Sequence, residues 1–423
     1  MNLTNFWTEN APYPPTMPVS EQPAETDVAI IGGGYTGLNA ALQLRKSGVE
    51  VTILEAEHIG FGASSRNGGM LTTGLKAPLR TIAKRYGMER ARQFWQWSLD
   101  SIDHVERVIT EERIDADWRR SGHTYLAYKP AHFDHMQTYA AWKQKEFNYH
   151  GDQIIPPTQL RTEIGSDAFF GALADDFSGS FQPAKYVFGL GCAVGNRGAK
   201  LVEHAPVTRI ERTATGFRLH TSHGETRARE ILLATNGYTT SLVPPARNGI
   251  FPVGSYIIVT EPLSLDLQHE LSPKGRMFYD SKHFLNYFRL TPDGRMLFGG
   301  RNKLTTTLDL HESARMLQAR MLEVYPQLAG IPITHAWTGK LGITFDLMPH
   351  LGRLNGIHYA YGYGGHGASI ASSLGREAGE LLAGTRTSSL FMDIKHPRNP
   401  IARLDRLYLP FVAGWYRTLD RIT

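Results

Sequence analysis

The run Thr26-Asp27-Val28-Ala29-Ile30-Ile31 is broken by Gly32-Gly33-Gly34 and resumes as Tyr35-Thr36-Gly37-Leu38, so a buried strand has to turn at once into a helix. Gly32, Gly34 and Gly37 stand in G-x-G-x-x-G spacing. The first glycine allows the tight turn, the second lets backbone approach a pyrophosphate, and the third lets helix pack on strand. A diphosphate then faces the unpaired N–H groups and positive dipole end of the helix opened by Tyr35 and Thr36. Leu38, Ala41, Leu42 and Leu44 continue as one helix face, and Val49-Glu50-Val51-Thr52-Ile53-Leu54-Glu55 reads as a second strand ending in an acid. Glu55 lies where a ribose-binding carboxylate belongs. It would accept hydrogen bonds from both ribose hydroxyls and repel a 2′-phosphate, which favours FAD or NAD over NADP.

Two later stretches extend this unit. Gly60-Phe61-Gly62-Ala63-Ser64-Ser65-Arg66-Asn67-Gly68-Gly69-Met70 is too rich in glycine and hydroxyls for a core element. Following the second strand directly, it can wrap backbone donors around a diphosphate and ribityl chain. Near the C-terminus Ile357-His358-Tyr359-Ala360-Tyr361 runs into Gly362-Tyr363-Gly364-Gly365-His366-Gly367, again strand, glycine turn and helix, so a second helix dipole points at a bound group. The glycines of Gly189-Leu190-Gly191-Cys192-Ala193-Val194-Gly195 follow a helical run instead and read as helix packing. Between these, segments 199–202, 207–211 and 217–221 alternate with turns and feed a buried strand ending at Ala234-Thr235-Asn236-Gly237, which predicts a small antiparallel meander.

The length of 423 residues with 41% apolar content supports about two or three domains. No apolar run reaches the roughly 18 residues of a membrane span, and the first residues lack the basic start and apolar stretch of a signal peptide. A cytoplasmic protein is expected. The single Cys192 excludes a disulfide framework and any multi-cysteine metal site, and no metal is expected. From Ile394 onward six basic residues face two acids, a net +4. No recognition helix or aromatic RNA-binding consensus accompanies them, so nucleic acid is not an expected partner. In this tail Ile401, Leu404, Tyr408, Phe411, Trp415 and Leu419 recur at near-helical spacing, and Pro410 predicts two short helices rather than one. The expected arrangement folds the tail over the nucleotide domain, with peripheral contact to anionic lipid or a quinone-linked partner as the alternative.

Together with Phe6-Trp7, Ala11-Pro12-Tyr13-Pro14-Pro15, Ala234-Thr235-Asn236-Gly237-Tyr238, Thr260-Glu261-Pro262-Leu263 and Trp337-Thr338-Gly339-Lys340-Leu341-Gly342, these segments resemble the D-amino-acid oxidase-like FAD-dependent oxidoreductases. Within them the chain is similar to the γ-glutamylputrescine oxidoreductase and L-pipecolate oxidase-like group, over nearly its whole length. The resemblance implies an α/β fold: a Rossmann-like FAD-binding domain from residues 1–80, 155–248 and 332–393, a substrate domain built on an antiparallel sheet with helices from 81–154 and 249–331, and a basic tail, 394–423. It implies that Gly32, Gly34, Tyr35, Thr36, Gly37 and Glu55 hold the ADP half of FAD. Ala63, Ser64, Ser65, Arg66, Asn67, Gly68 and Gly69 would lie along the ribityl chain and ring, and Val207 would meet adenine through its backbone. Gly339, Gly364, Gly365, His366 and Gly367 would meet the pyrimidine edge. Some relatives attach flavin through a cysteine in the C-terminal third, absent here, and others through a histidine in the loop that here reads Ser65-Arg66-Asn67. Non-covalent FAD is therefore expected.

The resemblance also places strands at 251–260, 283–290 and 295–301 in a sheet over the flavin face. Alternation puts Tyr287 and Arg289 on one face, with His283 not excluded from it, and Asn286 and Phe288 on the other. Arg289 and Arg301 are candidates to clamp a substrate carboxylate, since guanidinium offers a bidentate fork. A structural ion pair is the alternative for each. Tyr256 and Tyr287 are candidates to box a substrate, or else plain core. Lys340 is the candidate cation near flavin N5, and His366 reads as a flavin neighbour more than an acid–base group. No H-E-x-x-H, G-x-S-x-G or P-loop competes, and no second glycine fingerprint offers NADPH a site, so oxygen, a quinone or another protein takes the electrons. The expected reaction oxidises the C–N bond of an amine or amino-acid-like substrate by hydride transfer to flavin N5, leaving an imine that hydrolyses. A 2-hydroxy-acid dehydrogenase, which needs a base above the ring, and a flavin-bearing module of a larger complex are the alternatives.

Overall fold

In the computed structural model, which describes residues 1–301, 304, 306 and 308–422, β1 (Glu25–Ile31) buries Val28 to Ile31 at the centre of a parallel sheet. It pairs with β2 (Val51–Leu54) on one side and β11 (Gly224–Leu233) on the other, both in parallel. The order continues outward to β8 (Lys200–Val202) beyond β2, and to β18 (Ile357–Tyr361) and β17 (His350–Leu354) beyond β11. A strand buried on both faces is a near-continuous apolar run, which is how β1 reads. The meander forms without its first expected strand: β9 (Arg209–Arg212) and β10 (Phe217–Thr221) pair antiparallel with each other and β10 pairs with the first half of β11, whereas segment 199–202 supplies β8 of the parallel sheet. Val207 lies before β9, in the loop that leaves β8.

Two helices cover this sheet at the cofactor end. Helix α1 (Tyr35–Lys46) follows the glycine turn, and α4 (Gly367–Leu382) follows the second one; α2 (Met88–Glu111) and α3 (Pro183–Asn196) pack around them. Helices α1 and α4 lie so close that a Cβ on Gly375 would stand 2.3 Å from the Thr36 carbonyl oxygen, and one on Gly379 2.6 Å from that of Ala40. Trp97 of α2 donates from Nε1 to Glu377 of α4 at 2.7 Å. Residues 88–111 thus share the apolar core of the nucleotide unit. The Gly189 segment is helical, as expected, with Gly189 against Ile114 and Gly191 against Met17 and Ile59.

A second eight-stranded sheet stands opposite, in the order β16-β12-β15-β14-β13-β4-β6-β5. Its strands are β4 (His123–Leu126), β5 (Asp152–Ile155), β6 (Ala172–Asp175), β12 (Phe251–Pro262), β13 (Met277–Asp280), β14 (Asn286–Leu290), β15 (Arg295–Gly300) and β16 (Ile333–Ile343). All neighbours are antiparallel except β13 and β4. Strands β6 and β16 belong to this sheet although the sequence division put their residues with the nucleotide unit. A small ribbon, β3 (Met70–Leu71) with β7 (Gly179–Ser180), joins the two units.

The tail departs from expectation. Residues Asp405–Ile422 form one helix, α5, with Pro410 inside it. Pro410 falls in the second turn and removes a single hydrogen bond, while Leu409 and Ala413 on either side are buried against Val253, Phe284, Leu304 and Ile343. That packing carries the helix through the proline. The helix itself covers the end of the second sheet, while the tail before it does fold onto the nucleotide unit, where His396 and Arg398 hydrogen-bond with the Tyr359 hydroxyl of β18 and Ile394 joins the core. Asp405 pairs with Arg247 at 3.1 Å, and Asp420 accepts the backbone N–H groups of His283 and Phe284 at 2.6 and 3.0 Å.

Candidate active site

One cavity of about 1860 Å³ runs between the two sheets, from Gly32, Glu55 and Val207 at one end to Tyr287, Arg301 and His283 at the other. Pockets for single small ligands reach roughly 1,000 Å³, so this one has room for a dinucleotide and a substrate together. At its first end Gly34 caps α1 without any side-chain bond. A Cβ on Gly34 would come within 2.8 Å of Ser64 Oγ, and one on Gly37 within 2.0 Å of the Gly32 carbonyl oxygen. Glu55 accepts from Gly33 N–H at 2.7 Å and from Glu57 N–H at 3.0 Å. Burial pushes its carboxyl up and the Gly33 N–H pulls it back. Each carboxylate oxygen keeps a further lone pair for a ribose hydroxyl.

The loop after β2 is held from outside the cavity. Four successive carbonyls each accept from one side chain: Ser65 from Asn5 Nδ2 (2.8 Å), Arg66 from Trp337 Nε1 (2.9 Å), Asn67 from Trp7 Nε1 (2.8 Å) and Gly68 from Arg289 Nε (2.8 Å). Asn67 closes the loop on itself, its Oδ1 accepting from Gly69 N–H at 2.8 Å and its Nδ2 donating to the Ser64 carbonyl at 2.9 Å. Ser64 Oγ accepts from Tyr35 N–H at 3.0 Å, tying the loop to α1. Phe6-Trp7, quoted in the sequence without a role, is part of this clamp.

At the second glycine turn Gly362, Gly364 and Gly365 have φ of +89°, +64° and +97°, so only glycine suits the path that brings His366 to the start of α4. His366 Nδ1 is buried without a partner. Burial first, then Lys76 and Arg301, push its imidazole down to about 3, so it is neutral. Lys76, which sequence reasoning passed over, lies against Gly364, where a Cβ would meet its Cγ at 2.6 Å. Burial and neighbouring Arg301 lower its ammonium to about 8. Burial also lowers Arg301. Both line the cavity, and among the described residues neither has an ion-pair partner. No local motif marks Lys76; its place depends on a chain path between the units.

Two crowded glycine turns facing helix N-termini, a buried carboxylate at the end of β2, and an unpaired buried imidazole fit FAD. The sequence matches the profile of the FAD dependent oxidoreductase (DAO) family over residues 27–381. The chain belongs to this family of FAD-dependent oxidoreductases. It is 34% identical to gamma-glutamylputrescine oxidoreductase of Escherichia coli strain K12, over 94% of this chain and 93% of that one. It is 32% identical to the probable oxidoreductase OrdL of Haemophilus influenzae, over 96% and 94%. Among solved structures, glycine oxidase from Geobacillus kaustophilus superposes with a TM-score of 0.76 at 20% identity, covering 89% of this chain and 100% of that one.

On the substrate side of this FAD-dependent oxidoreductase the structure sorts the sequence candidates. Tyr287 lines the cavity, its ring over Gly68 and Gly299 and its hydroxyl 3.0 Å from Ser255 Oγ; burial raises the phenol to about 12. Arg289 shares that face, as alternation required, but is no clamp for substrate. It is buried away from the cavity, gives Nε to Gly68 and Nη2 to the Phe181 carbonyl at 2.8 Å, and lies under the Trp7 ring. Tyr256 points to the opposite face, into the core with Phe288 and Phe298, and its hydroxyl accepts from Leu308 N–H at 3.1 Å. Its neighbours Val253, Ser255 and Ile257 line the cavity instead. Lys340 is exposed over the Tyr238 ring, whereas Lys76 is half-buried and lines the cavity. His283 sits in the loop before β14, stacked on Tyr416 of α5, and forms part of the cavity wall. Gly339 on β16 passes Ala63 and Arg66, where a Cβ would lie 3.5 Å from Arg66 Cβ.

The cavity extends further than the sequence suggested, to His123, Tyr125 and Tyr279. There Lys143 pairs with Asp152 at 2.8 Å, with the Trp95 and Tyr149 rings over its ammonium. Among the described residues no group of His, Cys, Asp and Glu is placed to hold a metal ion, and no helix is long and apolar enough to cross a membrane.

Proposed function

We propose that the chain oxidises the C–N bond of an amine that also carries a carboxylate, and that Arg301 and Lys76 hold that carboxylate. The observation that carries this reading is the pair of half-buried cations lining the cavity with no ion-pair partner among the described residues. Unpaired buried charge is costly, and an anionic end of the substrate supplies the missing partner. FAD, when bound, provides the hydride acceptor at N5. The residues of the chain need only orient a neutral amine and exclude water. Tyr287 and Ser255 would form the floor on which the substrate rests, and Gly364, Gly365 and the start of α4 would hold the pyrimidine edge of FAD. The product imine hydrolyses, and oxygen or a quinone takes the electrons, in the reducing cytoplasm that a lone cysteine suits.

The gamma-glutamylputrescine in the name of the Escherichia coli relative supports an amine over an alcohol. So does His366: an imidazole lowered to about 3 is a poor acceptor for the hydroxyl proton that oxidation of a 2-hydroxy acid has to remove. Flavin bleaching under anaerobic conditions, against a panel of amines with and without a carboxylate and of hydroxy acids, tests the reading. Carboxylate-bearing amines should bleach it fastest. Bleaching by hydroxy acids alone, or equal rates for amines lacking a carboxylate, would overturn it.

A further inference from the structure

Helix α5 has two apolar faces, and only one of them is covered. Leu409 and Ala413 are buried, and with Tyr408, Val412, Tyr416 and Leu419 this side closes the cavity. On the other side Leu404, at the end of the 3-10 turn before the helix, is 52% exposed, Leu407 66%, Phe411 81% and Trp415 62%. Spacings of three and four residues place these side chains in one stripe. Phe345, also exposed, continues the patch through Phe251, whose ring meets Tyr408. A helix apolar on both sides is normally buried on both. Contiguous exposed apolar surface on a protein marks a contact with something else.

Charge decides between occupants. The segment from Ile394 onward carries six basic residues and two acids. Both acids are turned inward, Asp405 to Arg247 and Asp420 to the N–H groups of residues 283 and 284. What remains is an aromatic and leucine stripe in a segment whose sequence is net basic. A second copy seated on it would bring the same positive segment against itself, because a two-fold contact pairs a patch with its own copy. An anionic phospholipid surface offers apolar depth for the stripe and negative headgroups to match the net positive charge of the segment.

We propose that the outward face of α5 docks the enzyme on an anionic membrane surface, with Leu407, Phe411 and Trp415 entering the interface. The inner face of the helix closes the cavity, so the docked enzyme has one wall of its active site at the lipid. The contact is peripheral, and it is independent of which amine is oxidised.

The full-length holoenzyme should sediment with vesicles of phosphatidylcholine plus phosphatidylglycerol and stay in solution with phosphatidylcholine alone. Added salt should weaken the binding. Phe411→Ser with Trp415→Ser should lower partitioning roughly 100-fold, while flavin content and kcat/KM in solution stay unchanged, because neither residue lines the cavity. Trp415 emission should shift to the blue on vesicle addition and be quenched by brominated lipid, a signal lost in Trp415→Phe although binding persists. Three results would each overturn the proposal: wild-type protein that ignores both vesicle types, a double variant that binds as well as wild type, or a dimer in solution that the double variant dissolves. The last would assign the face to a second copy.

Discussion

Arg289 and Arg301 leave neighbouring strands and do different work. Arg289 spends its guanidinium on the carbonyls of Gly68 and Phe181, so truncation strands two buried acceptors. Each costs about 1–3 kcal/mol. Arg289→Ala should lower the melting temperature and weaken FAD binding, with KM for substrate little changed in the protein that remains loaded. Arg301→Ala should do the reverse, costing about 2–5 kcal/mol in kcat/KM for carboxylate-bearing amines with melting temperature preserved. Equal behaviour of the two variants would refute the division of roles. Lys76 adds a pH signature. Its ammonium, lowered to about 8, loses its charge as pH rises through that value, so kcat/KM for an anionic substrate should fall above about pH 8. Lys76→Arg stays charged and should remove this inflection, and Lys76→Met should be weak at every pH. Superimposable profiles for wild type and Lys76→Arg would dismiss Lys76 from the site. The folded-state value lies below the ordinary 10.5, so burying charged Lys76 costs stability below about pH 8 and the cost is relieved between the two values.

Helices α1 and α4 bring both glycine turns to one cofactor, and they can do so only while Gly375 and Gly379 let their backbones touch. Gly375→Ala puts a methyl 2.3 Å from a backbone oxygen that cannot swing aside, so the helices must separate. FAD occupancy should fall although residue 375 does not itself line the cavity, and flavin content after purification, with melting temperature, reads the effect. Normal occupancy would mean that the spacing of α1 and α4 does not set the site. Sequence pattern was a good guide to elements whose reason is local. The turn at Gly32 and the meander at 209–233 carry their own signals, in the period of the apolar residues and the glycines between them. It was a poor guide where an element answers to packing from elsewhere. Tyr256 and Ser255 alternate along β12 equally well in either register, and only the helix at Leu310–Val324 behind the sheet decides that Tyr256 goes inward. Pro410 breaks an isolated helix, but the apolar residues of β12 and β16 under Leu409 and Ala413 outweigh one missing hydrogen bond. The four-carbonyl clamp on residues 65–68 draws its donors from positions 5, 7, 289 and 337, and no local window of sequence contains them.

At the scale of the molecule, the cavity is the seam between two sheets, and FAD laid along it would touch both. Cys192, the one cysteine, lies in α3 outside the cavity lining. The loop at Ser65-Arg66-Asn67 offers no imidazole. FAD should therefore be held by fit alone, and acid precipitation should release it into the supernatant; flavin retained in the pellet would disprove this. A ligand bound only by the folded state stabilises it by mass action, ~2.7 kcal/mol at a hundredfold excess over Kd. For a protein of this size that corresponds to a rise in melting temperature of roughly 3 °C. FMN carries the ring and ribityl chain but no adenosine, so with its ring at His366, as proposed, it would leave Glu55 and Val207 without a partner. It should recover only part of the rise. Both units should melt together in the FAD-loaded protein, because the cofactor spans the seam, and apart or over a broader range without it. A rise with FMN equal to that with FAD would show that the glycine turn at Gly32–Gly37 contributes nothing to binding, and would remove the first and strongest inference that the sequence supports.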